Sequence, residues 1–81
     1  MDKDAAREII RAAFRSGSEL ERLVPLLKAQ CTADEFKHLV RQVAMAIDHI
    51  NTTLIDDVFK RFPELEAEVE ANIARTGRAM P

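Results

Sequence analysis

An 81-residue chain with one cysteine cannot carry a disulfide framework, and a net charge of −2 with a pI near 5.6 argues against nucleic-acid binding by bulk charge. Four Phe with no Trp or Tyr make a base-stacking surface unlikely, and no apolar run approaches the length of a membrane span. Two Gly, three Pro and no alternating apolar stretch leave helices as the regular structure, so the expected class is all-α.

The charged amino end, MDKDAAREII, lacks the apolar centre of a secretion signal, and a lone cysteine fits a reducing compartment. The expected location is cytoplasmic. Asp2 or Asp4 can cap a first helix over residues 3–16, with Ile9, Ile10, Ala13 and Phe14 on one narrow face. Gly17 then supplies a left-handed stop. Lys3, Arg7, Arg11 and Arg15 recur every four residues and form a basic ridge along this helix. The plain reading of the ridge is a solvated face. A second pairs it with the acidic last helix, and a third makes it a docking ridge for phosphates or an acidic partner.

Ser18 and Glu21 have capping-box spacing and open a second helix over 19–30. Pro25 lies inside it and predicts a kink or break at Val24, because its ring meets the carbonyl of Glu21.

Thr32 and Glu35 form another capping box, which opens the longest helix, 33–61. Phe36, Val40, Val43, Ile47, Ile50 and Leu54 recur in steps of four and three, the seam of a heptad repeat. Beyond Leu54 the heptad would place Asp57 and Arg61 in the seam. The expected contact face therefore rotates near Asn51-Thr52-Thr53, where Ile55, Val58, Phe59 and Phe62 take over. Unbroken, this helix would be about 43 Å long at 1.5 Å per residue, against a radius of gyration of roughly 12 Å for so small a domain.

Pro63 suits the first position of a last helix over 63–76, with Glu64 and Glu66 in its first turn and Gly77 as its stop. Residues 78–81 are expected to fray.

These readings give a single helical domain over 1–81: a small all-α bundle of about four helices built on one long central helix and expected to pair as a homodimer. Self-association is assigned to Phe36, Val40, Val43, Ile47, Ile50 and Leu54, with Val58, Phe59 and Phe62 closing the far end. No catalytic, cofactor or metal site is assigned. Glu35 and His38 have a Glu-x-x-His spacing, but the heptad phase turns His38 away from the seam. Cys31 reads as a small hydrophobe at a helix junction.

The functional expectation is a non-catalytic protein-interaction, adaptor or regulatory module whose partner is another protein. The alternative is a nucleic-acid-associated regulator using the Lys3–Arg15 ridge. A remote third is a small dimeric enzyme recruiting Lys37, Arg41 and Gln42. No membrane partner is expected.

Overall fold

The computed structural model describes residues 1–80, so Pro81 of the expected frayed tail lies outside the described residues. All regular structure among them is helical. The elements are α1 (Lys3–Glu21), α2 (Leu23–Gln30), α3 (Ala33–Ile50), a π turn (Asn51–Ile55), α4 (Asp56–Arg61) and α5 (Pro63–Thr76). They make three helical stretches rather than four, because α1 with α2 and α3 through α4 each run on with almost no interruption.

Asp2 caps α1 by accepting from the Ala5 amide at 2.8 Å. The helix then passes through Gly17 and Ser18, correcting the expected stop, and Gly17 has no positive φ. A glycine inside a helix costs only about 1 kcal/mol, too little to end one with regular turns on both sides. The interruption falls instead at Arg22, ahead of the expected kink at Val24. Pro25 is thereby the third residue of α2. Its missing N–H is one that a first helical turn leaves without an intrahelical partner.

The two-residue link Cys31-Thr32 folds α2 back along α3 as an antiparallel hairpin. Thr32 Oγ1 accepts from the Glu35 amide at 3.2 Å, and the Thr32 amide donates to Glu35 Oε1 at 2.8 Å. This closes the capping box. Hydrogen bonding from Thr32, its backbone N–H foremost and its side chain second, holds the Glu35 carboxyl below its usual range.

From Ala33 to Arg61 the backbone stays helical, but one π turn is set into it: the Asp56 amide donates to the Asn51 carbonyl, five residues back. A π turn absorbs one extra residue relative to an α-helix. Adding one to the heptad positions Leu54, Asp57 and Arg61 gives Ile55, Val58 and Phe62. Ile55 and Val58 are buried, and Phe62 packs against them. The face does not rotate; it is held, with Leu54 displaced outward to 48% exposure. The hydroxyls of Thr52 and Thr53 donate to the His49 carbonyl at 3.3 and 2.6 Å, so this run of weak helix formers serves the π turn directly.

Pro63 opens α5, and Gly77 ends it in the left-handed conformation at φ 76°, its amide donating to the Ile73 carbonyl. Lys3 lies 3.8 Å from Glu64, and Arg7 bonds Glu68. Both pairs share an offset of 61 residues, so α5 runs parallel to α1.

The core gathers at one end of the molecule. It comprises Ala6, Ile10 and Ala13 of α1, Ile55 and Val58, Leu65 and Val69 of α5, and Ala79. Ala79 corrects the expectation of a frayed tail. Asn72, itself buried, donates through Nδ2 to the Ala79 carbonyl at 2.9 Å and pins the chain back onto α5. The molecule measures 45 × 25 × 16 Å with a radius of gyration of 14.9 Å, well beyond a sphere of this length.

Candidate interaction surfaces

Two surfaces stand out once the core is placed. The first is the half of the molecule that the core does not reach. No residue from Phe14 to Leu54 is buried. Phe36, Val40, Val43, Ile47 and Ile50 are each half-buried, and their helix packs on α1 and α2 of the same chain. The sequence-assigned self-association residues therefore divide. Val58 belongs to the chain's own core. Ile50, Phe59 and Phe62 pack against that core, Leu54 points away from it, and the first four line a seam that one chain only partly covers.

Beside this seam lie apolar side chains outside the self-association set expected from the sequence. Leu23 and Leu26 of α2 are 40% and 54% exposed and Leu39 is 36% exposed, while Met45, 59% exposed, lies on the opposite side of α3, two residues from both Val43 and Ile47. The signal was present in the second helix, whose segment LVPLLKAQ is apolar on nearly every side.

The second surface is the basic ridge, and the structure splits it in two. Lys3 and Arg7 face carboxylates of α5. Arg7 donates from Nε to Glu68 Oε2 at 2.9 Å and from Nη2 to Glu68 Oε1 at 3.1 Å, and its Nη1 reaches Asp4 at 2.8 Å. The Arg7 hydrogen bond pulls the Glu68 carboxyl below its usual range, and the same bond raises the guanidinium. Arg11 turns back along its own helix to Glu8. Arg15 has no ion pair among the described residues.

Where the pairing stops, a cleft of about 670 Å³ opens between the second half of α1 and the Gly77–Met80 turn. Arg11, Arg15 and Arg22 line one wall and Arg78 the other. Phe14, Ile73 and Met80 supply apolar surface between them. Arg22 and Arg78 were not part of the expected ridge. Arg22 continues the Arg15 face two turns on, a spacing visible in the sequence, whereas Arg78 arrives only through the fold-back of the tail.

The remaining polar candidates stay apart. Glu35 is committed to the capping box, His38 is exposed on α3, and Cys31 is half-buried at the α2–α3 link. Among the described residues, no three His, Cys, Asp or Glu side chains converge as metal ligands, and no helix is long and apolar enough to cross a membrane. Lys37, Arg41 and Gln42 are all exposed on α3. No protein-family model matches the chain, nor does any curated protein or solved structure.

Proposed function

We propose that the protein is a cytoplasmic, non-catalytic interaction module that acts as a homodimer through the α2–α3 half. The carrying observation is the unburied stretch Phe14–Leu54, half of the chain. A monomer leaves Leu23, Leu26 and Leu39 in water beside a half-covered heptad seam. Burying such side chains contributes about 1.5–3 kcal/mol each for full burial. A second copy is the occupant favoured here. A chain this short, with three alanines among the eight buried apolar residues of its described part, has a small core, and oligomerisation offsets that shortage. The seam's three-four spacing is also the pattern by which helices pair side by side.

The nucleic-acid reading has less support, since two of the four ridge cations already face α5 carboxylates. Sedimentation equilibrium tests the dimer. The wild-type chain should sediment as a dimer, and Leu26→Asp should give a helical monomer. A wild-type chain that stays monomeric at high micromolar concentration ends this reading.

A further inference from the structure

The ion pairs between α1 and α5 follow a register. Lys3 meets Glu64 and Arg7 meets Glu68, each four residues on from the last. The next two rungs of the same parallel register are Arg11 with Asn72 and Arg15 with Thr76. Neither α5 residue is acidic. Asn72 is committed elsewhere, to the Ala79 carbonyl and the Arg75 guanidinium, and the Thr76 hydroxyl donates to the Asn72 carbonyl. Cations thus continue along α1 after the anions of α5 have run out.

The cleft begins at this point. Its volume of about 670 Å³ lies within the range of small-ligand sites. Arg15 and Arg78 carry no ion pair among the described residues, and Arg22 shares only an exposed contact with Glu19. Arg78 is nevertheless placed. Its amide donates to Thr76 Oγ1 at 3.2 Å, and the following Ala79 is pinned by Asn72, so its backbone is fixed at the wall. Between the guanidinium groups lies apolar surface, including Ile73, which stays 44% exposed. Guanidinium groups with unused donors suit the oxygens of a phosphoryl group, which they hold bidentately. The apolar floor suits a body larger than the ion itself.

We infer that this cleft binds a small organic phosphate, with Arg15 and Arg78 on the phosphoryl oxygens and Phe14, Ile73 and Met80 against an apolar body. The site lies between α1 and the C-terminal turn, and it does not require the dimer. Glu19 on the rim competes for Arg22 and sets a limit on the positive charge available.

The test uses the full chain and three probes: ATP, octyl phosphate and inorganic phosphate. Calorimetry measures affinity at low salt, and amide chemical shifts locate binding. Saturable one-to-one binding of ATP or octyl phosphate is expected, with shifts confined to α1 beyond Arg11 and to residues 73–80. ATP binding would mark the body as nucleotide-like, and octyl phosphate binding would mark it as lipid-like. The double variant Arg15→Gln, Arg78→Gln should weaken binding at least about tenfold, because it removes both charge-assisted contacts. Arg41→Gln removes an equal charge on α3 and should leave binding unchanged. The proposal is overturned if neither organic probe saturates, if the double variant binds like wild type, or if Arg41→Gln is as damaging. Inorganic phosphate binding as tightly as the organic probes would likewise remove the apolar body from the proposal. Thermal melting of each variant confirms that the fold is retained.

Discussion

Arg7 grips Glu68 through two parallel hydrogen bonds, Nε to Oε2 at 2.9 Å and Nη2 to Oε1 at 3.1 Å, and so joins the first helix to the last. The fork geometry is that of the stronger kind of ion pair, although the pair is open enough to water for solvent to screen it. It also fixes the register of α5 on α1, which leaves Arg15 without an ion pair among the described residues.

This pairing makes stability acid-sensitive. The folded-state pKa values of Glu68 and Glu35 are lowered, by the Arg7 hydrogen bond and by the Thr32 amide respectively. A depressed carboxyl contributes stability above its unfolded value, and that stability is lost as pH falls through the folded value. The melting temperature should therefore decline from about pH 5 downward. Glu68→Gln should lower it at neutral pH and flatten the acid slope. A carbon-detected titration that places Glu68 at or above the ordinary glutamate range would contradict the assignment.

The π turn predicts a reversal between neighbours. Heptad continuity places Leu54 in the seam, whereas the structure puts Ile55 there. Ile55→Ala should cost about 2–4 kcal/mol, as for other large-to-small changes at buried positions, and Leu54→Ala less than about 1. Urea denaturation of the two variants decides between them. Deleting Thr53 should remove the extra residue and leave a continuous α-helix with Ile55 and Val58 still inward. Loss of cooperative folding in that deletion would count against this account of the turn.

Asn72 is the one buried polar side chain among the described residues, and it holds the tail. Asn72→Ala leaves the Ala79 carbonyl without its donor and should cost about 1–2 kcal/mol. Hydrogen exchange at residues 77–80 should speed up while that of α1 near Ile10 changes little. Unchanged protection of the tail would show that Ala79 and Met80 are held by packing alone.

On the proposed dimer surface, two substitutions to aspartate should behave differently. Leu26→Asp changes a side chain already half in water and should abolish pairing with helicity intact. Ile47→Asp strikes the half-buried seam that also packs within the chain, so it should reduce both pairing and thermal stability. Circular dichroism alongside sedimentation separates these outcomes. Equal loss of helicity in both would place Leu26 inside the monomer's own packing.

The sequence by itself determined the helical class, the capping box at Thr32, the start of α5 at Pro63 and its stop at Gly77. Each rests on contacts among residues a turn apart, where side-chain type and spacing are sufficient. It also held, unread, the five-residue step from Ile50 to Ile55 that a single π turn accommodates. Tertiary structure alone decided the rest. Gly17 stays helical because continuation on both sides outweighs its small intrinsic cost. The tail folds back because Asn72 finds a carbonyl seven residues along, after a left-handed turn. Arg78 meets the Arg15 wall, and the α1 ridge loses two of its cations to α5, only because the two helices lie parallel in one register. The last two relations join residues some sixty positions apart, a distance over which no local periodicity carries information.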